Sequence, residues 1–225
     1  QIKHGAKVIK MHATAGVMSP EKSVGAQQLS DAEMRAIIQE AARHEIPVAA
    51  HAHGTEGIKA AIRAGVNSIE HGSILDEEAI QMMIDKDVFL VPTTGLIDFV
   101  DLESLPPQNR KKSEYVDPLA KKWLSQAIEA GVKIALGSDS PLLPHGQNAY
   151  EIIAMVDRGM TPAQSLRSAT MLPAELIRMQ NELGQIKEGM LADIVAVSEN
   201  PLERIETVED VVFVMKDGVV YKHEN

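Results

Sequence analysis

Four residues that can bind a metal ion or carry a proton each follow a short apolar run. They are Lys10, His51, His71 and Asp139. Imidazole and carboxylate groups are common ligands of borderline divalent ions such as zinc. The chain has no cysteine, which excludes a thiolate zinc site and a disulfide framework. Any metal here would therefore be held by His, Asp, Glu or a modified Lys.

The apolar runs that precede these residues predict the strands of a parallel sheet, because segments of helical period separate them. The predicted strands are Lys7–Met11, Pro47–His53, Asn67–His71, Val88–Thr94 and Val132–Asp139. Five βα units fit either an open doubly wound sheet or part of an eight-fold barrel, and periodicity leaves both open. In either fold the carboxyl ends of the strands share one edge, where α/β proteins build their sites.

Start and stop signals predict the helices between and after the strands. Ser30 and Glu33 form a capping box, and Thr161 is an N-cap followed by Pro162. The predicted helices are 30–44, Glu56–Ala64, Glu77–Lys86, Pro118–Ala130, Asn148–Arg158, Pro162–Ala169 and Ala174–Asn181.

A β-rich tail follows the α/β part. Asp193–Ser198 predicts one strand, and Val211–Met215 and Val219–Lys222 flank the turn Asp217-Gly218 as a hairpin. We therefore divide the chain into a barrel portion at 1–183 and a β-sandwich portion at 184–225.

Each candidate residue also has a structural interpretation. A single His at a strand end is commonly a hydrogen-bonded structural residue, a lone Lys extends to solvent, and Gly137-Ser138-Asp139 fits a simple turn. Four such residues on one edge favour a site. Lys10 is the most informative of them, because a charged Lys that closes an apolar run is costly to bury.

Composition limits the partners and the architecture. The formal charge of −10, from 22 Lys and Arg against 32 Asp and Glu, argues against nucleic acid and anionic membranes. No run of 18 apolar residues predicts a membrane span, and no signal-peptide pattern follows Gln1, so we assign no compartment. A strand begins within a few residues of Gln1, and we therefore expect the sequence to be a piece of a longer chain.

Several segments resemble the amidohydrolase superfamily, in particular its prolidase-like and Xaa-Arg (Lys) carboxypeptidase branch related to imidazolonepropionase. They cover nearly the whole chain, and their order and spacing are specific. The segment Lys7–Val17 resembles the carboxylated-lysine strand, with Ala15 where the family has Gly. The other matching segments are Ala50-His51-Ala52-His53-Gly54, Ser68-Ile69-Glu70-His71-Gly72, Gly137-Ser138-Asp139, Pro144–Asn148, Gly184–Val195 and Lys216-Asp217-Gly218.

The resemblance implies strands four to eight of a (β/α)8 TIM-like barrel with part of a flanking β-sandwich. It also implies two divalent metal ions, usually zinc, bridged by a hydroxide and by a carbamate on Lys10. His51 and His71 would bind the second metal, and Asp139 would touch the first metal and move protons. His53 shares a strand face with His51 by the two-residue period, so it is a substrate-pocket residue or a hydrogen-bonded wall residue.

The sequence departs from the family pattern at its start. Family members begin with a strand that ends in His-x-His, and nothing upstream of Lys10 supplies that motif. We expect the missing strands to lie before Gln1, because five parallel strands cannot close a barrel. The expected partners are a small peptide-like substrate and either further copies of the chain or the missing N-terminal half.

The function we infer is zinc-dependent hydrolysis of an amide bond in dipeptides or N-acyl amino acids with a free carboxylate. Asp139 would take a proton and deliver it to the leaving amine. A second interpretation is a cyclic-amide hydrolase or deaminase of the imidazolonepropionase type, which needs no bridging carbamate. A third, from another class, is an inactive fragment or a non-enzymatic assembly protein.

The connection from Thr94 to about Asp117 supplies the specificity hypothesis, because loops at the carboxyl edge choose substrates. Asp98, Asp101 and Glu103 precede the basic run Arg110-Lys111-Lys112. An acidic wall would favour release of a C-terminal Arg or Lys, with His145 or Arg158 as carboxylate partner. A solvated loop of mixed charge is the alternative.

Overall fold

The computed structural model describes residues 1–224, so position 225 of the predicted tail lies outside the described residues. The chain folds as two compact units. The first unit comprises Gln1–Thr93 and Val100–Ile134, and the second comprises Thr94–Phe99 and the chain from Ala135 onward. The division at 183 and 184 stays a prediction.

A parallel sheet of four strands forms the centre of the first unit. Its order is β1-β2-β3-β4, so each strand pairs with the next one along the chain. In register, Met11 lies opposite Ala50, Ala50 opposite Ile69, and Ile69 opposite Leu90. The strands are β1 (Ile9–His12), β2 (Val48–Ala52), β3 (Ser68–His71) and β4 (Phe89–Val91). The predicted α/β class is confirmed, and the carboxyl ends of the four strands share one edge.

Helices follow the strands as their caps predict. The helices are α1 (Asp31–Arg43), α2 (Thr55–Ala64), α3 (Glu77–Asp85), α4 (Leu96–Phe99), α5 (Pro107–Ala130), α6 (Tyr150–Asp157), α7 (Pro162–Ser168) and α8 (Met171–Leu176). The predicted capping box of Ser30 with Glu33 forms, and the predicted N-cap Thr161 forms a second capping box with Gln164. Within the described part of the chain, no helix combines the length and the apolar character needed to cross a membrane.

The predicted loop from Thr94 to Asp117 is wrong. It contains α4, a short 3-10 turn at Leu102–Ser104, and the first turns of α5, which begins at Pro107 instead of Pro118. Pro118 signals a helix start but is tolerated inside α5. Buried Lys112 and Val116 anchor the added turns, which is a tertiary effect that local sequence signals do not show.

The strand predicted at Val132–Asp139 is reduced to one parallel bridge between Leu90 and Ile134. Leu90 N donates to Lys133 O at 2.9 Å, and the chain then leaves the sheet. In the second unit, Leu136 N bonds to Ser168 O instead of to a neighbouring strand. The Gly137-Ser138-Asp139 segment therefore does not continue a strand.

The second unit contains a helical layer and the predicted β tail. Ile153 on α6 packs with Ile205 and Val208 of a 3-10 turn at Ile205–Glu209. The tail is an antiparallel sheet of β5 (Ile194–Val197), β6 (Val211–Lys216) and β7 (Val219–His223). The predicted hairpin is confirmed. The helix predicted at 174–181 lies earlier, at α8, and Arg178 just beyond it has a left-handed φ of 61°.

Candidate metal centre

Three histidines converge at the carboxyl edge of the parallel sheet. One nitrogen from each of His51, His53 and His71 lies within 4.8 Å of the others. The ring centroids are 4.8 Å apart for His51 and His53, 4.7 Å for His51 and His71, and 4.8 Å for His53 and His71. The sequence pattern brought His51 and His71 to one edge, and the structure adds His53 as an equal member of the cluster.

The backbone explains how His71 joins the cluster. His51 lies opposite Glu70 in the register of β2 and β3, so strand alternation alone would turn His71 toward the other face. His71 instead has a φ of 71°, in the left-handed region that residues other than glycine rarely occupy. Strained backbone of this kind concentrates at functional sites.

Hydrogen bonds fix the tautomer of His71. Thr93 Oγ1 donates to Pro92 O at 2.7 Å, which uses its single hydrogen. His71 Nδ1 lies 2.8 Å from the same oxygen and must therefore be the donor of that bond. With the proton on Nδ1, His71 Nε2 carries a free lone pair, which is the form that binds a metal ion.

Buried contacts also hold His53. Its Nδ1 lies 2.8 Å from Ser73 Oγ, and its backbone N donates to Thr14 Oγ1 at 2.9 Å. His53 is buried, and His51 and His71 are half-buried. The sequence predicted that His53 is either a substrate-pocket residue or a hydrogen-bonded wall residue. These two bonds fix its position, with Nε2 on the side of the ring away from Ser73.

Burial keeps the three imidazoles neutral. Burial, aided by the nearby His53, His12 and Lys10, lowers the pKa of His51 to about 3. Burial lowers the pKa of His53 to about 4, and it holds the pKa of His71 well below its ordinary value. Metal ions bind the neutral form of imidazole, so the cluster is in its ligand form at neutral pH.

One buried nitrogen of this cluster has no partner in the described structure. His51 Nε2 makes no hydrogen bond, although buried polar atoms are almost always paired. A Cβ at Gly16 would lie 2.9 Å from this nitrogen, so glycine leaves the space in front of it open. Three neutral imidazoles, one of which has an unpaired buried nitrogen, are donors that suit a zinc-type ion. The residues present therefore fit a divalent metal.

Lys10 lies beside this cluster, but the expectation that it is buried is wrong. Its side chain is exposed, because β1 is the edge strand of the described sheet. The sequence reasoning also missed His12, two residues along the same face of β1 and opposite His51 in register. The rings of His12 and His51 are 4.5 Å apart. The period of two from Lys10 was the signal that could have found it.

The remaining predicted site residues are divided between the two units. Asp139 and His145 belong to the second unit, and both are exposed. Asp139, like His71, has a left-handed backbone conformation, with a φ of 51°. Asp101 belongs to the first unit, where its carboxylate caps the 3-10 turn by accepting from Glu103 N. The roles predicted for these three residues stay predictions.

Two of the acidic residues predicted to line the specificity loop, Asp98 and Glu103, form ion pairs with arginines of the chain. In the second unit, Asp98 Oδ2 lies 2.5 Å from Arg158 Nη2. In the first unit, Glu103 Oε2 lies 2.5 Å from Arg110 Nη1. Arg158 follows directly after α6, and Arg110 lies in the first turns of α5. Asp98 and Arg158 bind each other in this structure, and the substrate-binding roles expected of them stay predictions.

Sequence reasoning missed Glu151, a fully buried carboxylate of the second unit. Its oxygens accept from Thr94 N at 2.7 Å and from Gly95 N at 2.5 Å. Burial raises its pKa to about 7, against the lowering effect of these two N–H groups and of Arg158. Glu151 thus fixes the backbone directly after Thr93. A Glu among apolar residues of a helix gave no signal for this.

Comparisons with known proteins identify several relatives of this chain. Ochratoxinase of Aspergillus niger is 40% identical over 230 residues, covering 99% of this chain and 48% of that protein. An imidazolonepropionase of Brevibacillus brevis is 28% identical over 189 residues, covering 80% of this chain and 37% of that protein. The crystal structure of a Xaa-Pro dipeptidase with bound methionine superposes with a TM-score of 0.94 at 42% identity, covering 98% of this chain and 56% of that chain.

These relatives are longer than the present sequence, which spans about half their length. The structural neighbours are amidohydrolase TIM-barrel proteins. The similarity extends along nearly all of this chain, including both the parallel sheet and the antiparallel tail. The family model for the amidohydrolase family matches residues 1–221. The chain therefore belongs to the amidohydrolase family.

Proposed function

We propose that the chain forms the metal-binding part of a hydrolase that cleaves an amide bond in dipeptides or N-acyl amino acids with a free carboxylate. The observation that carries this proposal is the convergence of His51, His53 and His71 with an unpaired, buried His51 Nε2. The Xaa-Pro dipeptidase structure at 42% identity supports a peptide-like substrate. Amidohydrolase membership supports hydrolysis itself.

The metal we propose is zinc, with His51 and His71 as protein ligands. When bound, such an ion supplies Lewis acidity and a nucleophile at neutral pH. Thr93 fixes the tautomer of His71, and Ser73 holds the ring of His53. These contacts keep the nitrogens in place without rearrangement.

The remaining roles are proposals of the same kind. We propose that the Asp139 carboxylate accepts a proton and returns it to the leaving amine. A second metal bridged by a carbamate on Lys10 requires the exposed Lys10 amine to be enclosed. The missing N-terminal half or a further copy of the chain would provide that enclosure. Release of C-terminal Arg or Lys stays a prediction, and the ion pair of Asp98 with Arg158 argues against it.

A second candidate is cyclic-amide hydrolysis or deamination. The similarity to imidazolonepropionase over 80% of this chain and the exposure of Lys10 favour it. The two candidates differ in metal count, since a one-metal site does not need Lys10. Lys10→Ala should reduce the metal content of a two-metal hydrolase and leave that of a one-metal enzyme unchanged.

Metal analysis of the purified chain tests the proposed function. We expect at least one zinc ion per chain, lost in His51→Ala and His71→Ala and retained in His44→Ala, an exposed histidine on the same unit. Hydrolysis of Xaa-Pro dipeptides and N-acyl amino acids is then measured with and without a supplied N-terminal half. Less than one ion per chain, or full activity of Asp139→Asn in the assembled protein, would contradict the proposal.

A further inference from the structure

A cleft in the first unit carries positive charge that the metal centre does not use. It has a volume of about 740 Å³ and lies between the loop at 22–24 and the start of α5. Its lining residues are Lys22, Ser23, Val24, Pro107, Gln108, Lys111, Lys112 and Tyr115. Three lysines on one cleft stand out in a chain whose net charge is −10.

Lys112 is the informative member of this lysine cleft. Its side chain is buried, with 5% of the residue exposed. Its ammonium group donates to Val17 O at 3.3 Å and to Ser19 O at 2.5 Å, which are neutral acceptors. An ammonium has three N–H donors, so one remains for another partner. A buried ammonium that is held only by neutral acceptors gains from an opposite charge, so Lys112 favours an anionic ligand in the cleft.

The other charges of the lysine cleft are also available. Lys22 and Lys111 are exposed and form no ion pair within residues 1–224. Glu21 of the same loop does not line the cleft, and its carboxylate forms no ion pair in the described chain. Pro107 begins α5, whose first-turn N–H groups and positive dipole end favour an anion.

The loop that forms one wall of the cleft begins and ends at the histidine cluster. Gly16 packs against His51, and Gly25 packs against Gly54, the residue after His53. Hydrogen bonds from Ala15 N to Ala26 O and from Gly25 N to Ala15 O close the base of this loop. The cleft and the proposed metal centre therefore share one structural element.

The rest of the lining suits an organic anion. Tyr115 is 61% exposed, and its ring, with Pro107 and Val24, offers apolar surface beside the ammonium groups. We propose that the lysine cleft binds the free carboxylate of the acylated amino acid whose amide bond is cut. This inference deepens the proposed function and rests on it. The same cations could hold phosphate, so the test must separate the two oxyanions.

Calorimetric titration of the zinc-loaded chain tests the proposal with three probes: N-acetyl-L-phenylalanine, its carboxamide, and inorganic phosphate. We expect the acid to bind at least about tenfold more tightly than the amide at low salt. Lys22→Gln/Lys111→Gln should weaken binding of the acid roughly tenfold. The matched double variant Lys3→Gln/Lys86→Gln removes two exposed lysines elsewhere on the first unit and should change it less than about twofold.

Three results would overturn the cleft assignment. The acid and the amide could bind equally tightly, or Lys22→Gln/Lys111→Gln could leave the affinity for the acid unchanged. The third is that phosphate binds in a lysine-dependent way while the acid does not bind. Metal content is measured on the same preparations. If the chain binds zinc but its affinity for the acid does not depend on the lysines, only the assignment of the cleft is rejected. A chain that binds no zinc overturns the proposed function, and with it the assignment of the carboxylate to a hydrolysed substrate.

Discussion

His71 Nδ1 donates a hydrogen bond to Thr93 Oγ1 across 2.8 Å, and Thr93 passes its own hydrogen to Pro92 O. Both His71 and Thr93 have left-handed backbone conformations, with φ of 71° and 51°. His71 ends β3, and Thr93 lies two residues after the end of β4, the neighbouring strand. These backbone conformations place the Thr93 hydroxyl next to His71 Nδ1, which keeps the proton on that nitrogen. His71 Nε2 therefore has a free lone pair for a metal ion.

Thr93→Val should weaken zinc binding because it removes the acceptor of His71 Nδ1–H while keeping a β-branched side chain. Loss of such an outer contact commonly costs about 10- to 100-fold in metal affinity. A competition titration with a chelator of known affinity measures the change. Thr94→Val is the matched control, because the Thr94 hydroxyl is buried and has no partner. Equal zinc affinity in both variants would rule out the role assigned to Thr93.

Gly16→Ala should block the metal centre without unfolding the chain. The added Cβ would lie 2.9 Å from His51 Nε2 and 3.5 Å from His53 Nε2, on the open side of the cluster. We expect the zinc dissociation constant to rise at least about tenfold, the loss typical of a displaced ligand. Gly57→Ala provides the contrast, since its Cβ would clash with the Thr14 side chain instead. That variant should lose stability in chemical denaturation, and Gly16→Ala binding zinc normally would contradict the geometry.

A variant of His53 tests whether this residue binds the metal ion or contacts only the substrate. His53→Asn keeps a hydrogen-bonding group toward Ser73 but removes the nitrogen that faces His51 and His71. If three histidines hold one ion, this variant should lose zinc as fully as His71→Asn in elemental analysis. If His53 contacts only substrate, zinc content should stay unchanged and only the binding of an acylated amino acid should fall. The exposed variant His44→Asn controls for the loss of a histidine.

Local patterns predicted the scaffold well. The Ser30 and Glu33 capping box, the left-handed glycines that end α2 and α5, and the Asp217-Gly218 turn act within a few residues, so sequence alone identifies them. The two-residue period also placed His51 and His53 on one face. The same period is the signal by which His12 could have been found.

Features that depend on tertiary structure were missed. The start of α5 depends on burial of Lys112 and Val116, and the exposure of Lys10 depends on which strand forms the sheet edge. The turn of His71 toward His51 requires a left-handed φ, which residues other than glycine adopt uncommonly. The backbone strain at His71 and the buried charge of Lys112 are stabilised by the surrounding fold, so no local sequence pattern predicts them.

Glu151 supplies a prediction for the pH dependence of stability. Its pKa is raised from 4.5 in the unfolded chain to about 7 in the folded chain, chiefly by burial. Between these values the folded state keeps the proton and the unfolded state loses it, so stability falls as the pH rises from 4.5 to 7. The shift corresponds to about 3 kcal/mol in the free energy of unfolding across that window. Asp98 adds to the raised pKa, and Arg158 opposes it.

Urea unfolding of the chain and of Glu151→Gln at pH 5 and pH 7.5 measures this contribution. The variant cannot ionise, so its stability relative to the wild type should improve by a few kcal/mol between the two pH values. Its amide offers one acceptor to two N–H groups, at Thr94 and Gly95, and should cost about 1–3 kcal/mol at pH 5. Glu182→Gln, an exposed change in the same unit, controls for the loss of one carboxylate. Parallel pH profiles for wild type and Glu151→Gln would show that the buried carboxyl titrates normally, because a group with the same pKa in both states leaves stability independent of its ionisation.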